Sequence, residues 1–190
     1  MFKNYPIFED LTNQQMYRRG MLLASAKEIA KNQGDKENLE QLLTMTAALE
    51  NSLGADANAY NRTYTRGPMS IDDIAFSDLF DIREGATRLT NQQQRGLDWL
   101  ESLGFNSDRD AINQLLYDDN HLASMATARL RYGRVPTALP DTDDKDAMFE
   151  YWLNHYNGQG VLQYKTKSQV KEDWDEWWDT LYGNDNKQYG

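Results

Sequence analysis

The chain contains no cysteine, which excludes disulfides, thiolate metal ligands and a cysteine nucleophile. Histidine is nearly as scarce. His121 and His155 are the only two, too few for a histidine-rich metal centre, and no metal or organic cofactor is expected. No apolar run is long enough to span a bilayer, so stable membrane insertion is not expected. The opening MFKNYPIFEDLTNQQ lacks the apolar centre of a secretory leader. Runs of β-branched residues with strict alternation are missing too, which argues against a β-sheet architecture. Positive charge is in deficit, with 20 Lys/Arg against 30 Asp/Glu, a net charge of -10. Nucleic-acid binding usually needs a basic face, so no nucleic-acid partner is expected.

What is present suffices for a packed core. The 190 residues are 39% hydrophobic and 12% aromatic, with 5 Trp, 11 Tyr and 6 Phe. One domain over residues 1–190 is expected. The acidic excess concentrates in residues 141–190, where 11 acidic and 5 basic residues leave a net of -6, the pattern of a solvated surface. Apolar spacing is helical almost throughout, so the fold class is all-α.

A first helix is predicted over Asn13–Lys31, with Tyr17, Met21, Leu22, Ile29 and Ala30 inside. A second runs from about Lys36 to Leu53 on the stripe Leu39, Leu42, Leu43, Met45 and Leu49, stopped by Gly54. Residues 55–69 read as irregular. Helices follow near 70–84, 91–103, 108–132 with a break at Asp118-Asp119-Asn120, 145–156 and 168–182. Gly133 to Asp144, with Pro136 and Pro140, reads as a loop.

Glycosidic cleavage needs a carboxylic acid with a raised pKa, and burial on an apolar helical face near a helix end supplies one. Glu50 has that placement. It follows Leu43 by seven residues and Thr46 by four, within a turn of the helix stop. By pattern alone an ordinary exposed carboxylate at the helix edge is the favoured reading.

Its surroundings narrow the choice. Ala48-Leu49-Glu50-Asn51-Ser52 resembles the first motif of soluble lytic transglycosylases and goose-type lysozymes, in which a catalytic Glu ends a helix and a Ser follows. Arg66-Gly67-Pro68-Met69-Ser70-Ile71-Asp72 resembles the second, usually Gly-Leu-Met-Gln-Ile, with Pro68 and Ser70 departing from it. Leu153-Asn154-His155-Tyr156-Asn157-Gly158 resembles the third, Ala-Tyr-Asn-x-Gly. The three stand in the family's order and span about residues 36–160, the expected lysozyme-like catalytic core.

The resemblance implies that Glu50 is the acid and that Tyr156 hydrogen-bonds and orients it. It also implies that Ser52, Met69, Ser70 and Asn157 shape or contact the substrate site. A hydrolase needs a second carboxylate to activate water, for which Asp72 and Asp56 are candidates. Tyr60, Tyr64 and Arg66, with Asn58 and Arg62, lie between the first two motifs, where rings could stack on sugars. Each has a plainer reading as well: core packing for Met69, a helix cap for Ser70, a helix start for Asp72 and for His121, a helix C-cap for Tyr156 and Asn157. Trp174, Trp177, Trp178 and Leu181 read as a packing stripe, and Trp152 as a support for Tyr156.

The expected partner is the peptidoglycan glycan strand. Without a leader, a holin, phage tail or virion would carry the chain to the wall, with other virion proteins as further partners. Two competitors are a non-catalytic virion component on the same fold and an acidic protein that binds a basic partner.

Overall fold

The computed structural model describes residues 11–34, 36–56, 60, 65–82 and 84–183, and within these the side chains of residues 157–159 are left aside. The described chain is mostly helical. In order it forms α1 (Asn13–Asn32), α2 (Glu37–Asn51), β1 (Thr65–Arg66), β2 (Ile71–Asp72), α3 (Asp73–Phe80), α4 (Asn91–Ser102), α5 (Arg109–Tyr117) and α6 (His121–Tyr132). α7 (Lys145–Trp152) follows, then a π-turn (Leu153–Asn157), α8 (Gly158–Val161) and α9 (Lys167–Tyr182). Among the described residues no helix is long and apolar enough to cross a membrane.

Local chemistry fixes most helix starts. Thr12, Thr90 and Thr166 each cap a helix and exchange bonds with a glutamine three residues on, closing capping boxes at α1, α4 and α9. Asp108, Asn120 and Asp144 cap α5, α6 and α7. The expected break in the 108–132 stretch is there. Asp118-Asp119-Asn120 separates α5 from α6, with Asp119 in left-handed backbone at φ 56°.

The buried apolar residues form one cluster, with α6 through its middle. Every residue from Ala123 to Ala128 is buried, and their mostly small side chains let α1 approach closely. At the other end Phe149, Trp152, Trp174 and Trp178 pack ring against ring, joining α7 to α9. Fully burying each such ring contributes roughly 1.5–3 kcal/mol before cavity and strain effects.

Several expectations shift. The inner face of α1 is Leu22, Ser25, Ala26, Ile29 and Ala30, while Tyr17 and Met21 face solvent, because the apolar stripe begins at Leu22. Helix α2 ends two residues early: Ser52 is its left-handed C-cap at φ 52°, and Leu53 and Gly54 continue the left-handed turn. Gly54 is needed there. Its φ is +86°, and a Cβ would lie 2.8 Å from Arg18 Cβ and 2.9 Å from the Arg19 nitrogen. The end of the region read as irregular pairs with the start of the stretch expected to be helical, in an antiparallel two-residue ladder with Thr65 opposite Asp72 and Arg66 opposite Ile71. So short a ladder leaves no alternation to read. The helix expected at 70–84 is only Asp73–Phe80. Trp152 packs on Phe149 and Trp174, and the Tyr132 ring lies tilted against that of Tyr156.

Candidate active site

Glu50 occupies the last turn of α2 and is 7% exposed. Thr46 lies one turn earlier on the same face. The Thr46 hydroxyl donates to the Leu42 carbonyl at 2.7 Å, so the 2.7 Å contact between its oxygen and the Tyr132 hydroxyl is donated by Tyr132. The Tyr132 ring stands 5.1 Å from the Tyr156 ring. The Tyr156 hydroxyl in turn donates to the Met69 carbonyl at 2.7 Å.

Both phenols are thus buried beside Glu50. Burial holds Tyr132 and Tyr156 well above the usual tyrosine range. Smaller contributions in the same direction come from the negative Glu50 carboxylate acting on both rings. Each hydroxyl gives its one hydrogen to another oxygen, so both turn only acceptor lone pairs toward their surroundings. The Tyr156 hydrogen ties the π-turn to the β1–β2 turn.

The strip after Glu50 is held in place from several directions. Asn51 is buried. Its amide nitrogen donates to the Pro68 carbonyl, and its amide oxygen accepts from the Gly54 nitrogen at 2.6 Å. The β1–β2 turn presses onto α6 at Gly67, where φ is +65° and a Cβ would collide with the Ser124 hydroxyl. One asparagine therefore fastens the end of α2 to the turn that carries Met69.

The other expected site residues divide clearly. Met69 is fully buried in the core and meets Tyr156 through its carbonyl. Ser70 adopts left-handed backbone at φ 51° and is half-buried. It does not cap α3, because Asp72 does so by accepting from the Ala75 nitrogen at 2.7 Å. Asp72 also raises the Tyr156 phenol slightly, placing its carboxylate within electrostatic reach of that ring. Asp56 is half-buried, and its backbone nitrogen donates to the Asn51 carbonyl at 3.0 Å.

Arg66 is nearly buried. Its side chain is only 10% exposed, bonds Asn113, pairs with Asp73 and lies 4.5 Å over the Phe76 ring. These contacts fix its guanidinium against α3 and α5. Tyr60 sits under Arg18, 3.9 Å from guanidinium to ring, with its hydroxyl 3.4 Å from His121 Nε2. Burial raises its phenol above the usual range. His121 opens α6, as its position suggested. Asn58, Arg62 and Tyr64 lie outside the described residues, and so does the Asn157 side chain.

Reading from sequence missed Asn51, Arg131 and Tyr132. Arg131 donates to the Tyr156 carbonyl and stacks on its ring at 4.6 Å. Tyr132 ends the buried stripe Met125–Ala128–Tyr132, a signal present in the spacing. Among the described residues no group of three or more His, Asp or Glu is placed to hold a metal. No protein-family model, curated protein or solved structure matches the chain.

Proposed function

We propose that this chain cleaves the β-1,4 glycosidic bond between MurNAc and GlcNAc in peptidoglycan, as a lytic transglycosylase or muramidase on a lysozyme-like helical domain. The observation that carries the reading is the buried Glu50 at the carboxyl end of α2, beside two phenols whose hydrogens are already committed. Low exposure and the partial negative charge at a helix C-terminus both disfavour a charged carboxylate. These are the surroundings of a general acid.

In the proposed reaction Glu50 gives its proton to the glycosidic oxygen as the C1–O bond breaks, leaving an oxocarbenium-like sugar. Glu50, now a carboxylate, takes the proton of the attacking hydroxyl. In a transglycosylase that hydroxyl is the sugar's own 6-OH, and a 1,6-anhydro ring closes. In an inverting hydrolase water attacks instead, and Asp72 or Asp56, rather than Glu50, would take its proton. Action at the cell wall during phage entry or lysis follows from the same resemblance.

The deciding experiment treats purified peptidoglycan with wild type and Glu50→Gln and identifies the released muropeptides by mass spectrometry. Anhydro-muramyl ends from wild type alone support the transglycosylase. Reducing muramyl ends support the hydrolase. Equal products from both proteins, or none from several wall types, overturn the Glu50 mechanism and leave a non-catalytic virion protein as the better account.

A further inference from the structure

Tyr156 is fastened at its backbone as well as at its ring and hydroxyl, and the backbone fastener is an arginine. Helix α7 gives way to the π-turn Leu153–Asn157, which carries Tyr156. Such turns are rare, and they occur frequently at functional sites. Here the Tyr156 carbonyl accepts from Nη2 of Arg131, in the last turn of α6. The same guanidinium lies 4.6 Å from the centre of the Tyr156 ring, and the next residue, Tyr132, sets its own ring 5.1 Å from it. Two consecutive residues of α6 therefore fix Tyr156 in place.

No ion pair holds Arg131 there. Among the described residues no Asp or Glu pairs with its guanidinium, and its recorded partner is the Tyr156 carbonyl. The side chain is half-buried and borders a cavity of about 370 Å³, in which Asp72, Asp78, Arg134 and His155 are the other charged or titratable members. Glu50 and Arg131 act on both buried phenols with opposite sign. The carboxylate pushes Tyr132 and Tyr156 up, and the guanidinium pulls them down. Cation and carboxylate thus address the same two rings, with Asp72 adding a second negative charge at Tyr156. A nearby cation favours the ionised form of a carboxyl. The moment that needs such help is the one at which Glu50 has lost its proton.

We propose that Arg131 is a positioning residue for the glycan-cleaving reaction: it holds the π-turn so that Tyr156 stays beside Glu50, and its charge steadies the carboxylate that Glu50 becomes when it gives up its proton. The role rests on Glu50 being the acid, as read above. Arg131 is assigned no contact with the sugar, so its removal should slow the chemical step and leave substrate binding nearly unchanged. A carboxyl that loses a neighbouring cation also keeps its proton to higher pH. Activity that needs protonated Glu50 should then persist to higher pH as well.

Peptidoglycan cleavage by wild type, Arg131→Gln and Arg131→Lys is measured across pH. In parallel, carbon NMR follows the titration of the Glu50 carboxyl without substrate, its signal being the one absent from Glu50→Gln. Arg131→Gln should lower kcat by about tenfold or more, the worth of one charge-assisted hydrogen bond, with KM little changed. Its alkaline limb and its Glu50 titration should both move to higher pH. Arg131→Lys restores the charge and should return both midpoints toward wild type, a recovery that a purely structural role would not give. Should Arg131→Gln lose the fold, Arg131→Met keeps the apolar stem over the ring and carries the same expectations. A wild type that cleaves, with kcat, alkaline limb and Glu50 titration all unmoved in Arg131→Gln, overturns the proposal and leaves the glycan-cleaving reading intact. So does a loss of activity that only tracks loss of folded protein. An inactive wild type whose Glu50 titration still moves in Arg131→Gln overturns that reading, and the positioning role with it, while the electrostatic tie between Arg131 and Glu50 stands.

Discussion

The Tyr156 hydroxyl donates to the Met69 carbonyl oxygen across 2.7 Å, joining two segments that lie 87 residues apart in the chain. The bond is buried, and it sets the ring of Tyr156 beside both Tyr132 and the Glu50 carboxylate. Removing it tests structure and chemistry together. Tyr156→Phe leaves the Met69 carbonyl without this donor and should destabilise the fold by about 1–3 kcal/mol in urea denaturation. If the proposed reaction is right, turnover should fall more than the loss of folded protein explains. Wild-type turnover in the folded fraction would show that the hydroxyl is structural only.

Alkaline pH should unfold the chain through its buried phenols. Burial holds Tyr132, Tyr156 and Tyr182 above the ordinary range in the folded state. Unfolded tyrosine ionises near pH ~10, so above that point the unfolded chain loses protons that the folded chain keeps. Their contribution is complete below that pH and declines as pH rises beyond it, by up to ~1.4 kcal/mol per pH unit for each phenol. Denaturation midpoints measured on both sides of that pH check the slope, and phenolate absorbance counts the rings that ionise only on unfolding. Ionisation of all the tyrosines in a still-folded protein would refute it.

Asn51 should matter more than a residue that merely follows a catalytic candidate. Asn51→Ala removes its donor to Pro68 and its acceptor from Gly54, both buried. Two such losses predict destabilisation of about 2–4 kcal/mol, read as a lower urea midpoint. Asn51→Asp keeps the acceptor for Gly54 and loses the donor, so its effect separates the two bonds. A midpoint for Asn51→Ala within error of wild type would show that the link to the turn carries no stability.

Gly54→Ala should be among the most damaging single-methyl additions. The backbone at +86° disfavours any Cβ, and the first atoms met are Arg18 Cβ and the Arg19 nitrogen, which cannot move without shifting α1. A loss of about 2 kcal/mol or more is expected, seen as a lower thermal midpoint. An unchanged midpoint would mean that α1 does not press on the end of α2.

The Arg66–Asp73 pair should be unequal when cut. Arg66→Ala strips contacts with Asn113 and the Phe76 ring from an almost buried side chain, and should cost about 2 kcal/mol or more. Asp73→Asn removes a partner that is 75% exposed, and should cost less than about 1 kcal/mol. Chemical denaturation of both variants measures the asymmetry, and equal losses would contradict it.

Sequence by itself determined the helical character, most helix starts and the break before α6. Each of these is local: a capping side chain reaches its own helix, and an apolar stripe repeats every few residues whatever it packs against. Tertiary structure decided the rest. The inward spacing of Tyr17 and Met21 left open which turn of α1 meets the core, and contact with α6 settled it. Nothing in the motif around Arg66 reveals that Asn113 and Phe76 would enclose its guanidinium, because those partners arrive on other helices. The Tyr156 hydrogen went to Met69, and the Tyr132 ring came to lie against that of Tyr156, because donors and rings pair with what packing brings within reach. That proximity between segments distant in sequence has no local signature, and the site depends on it.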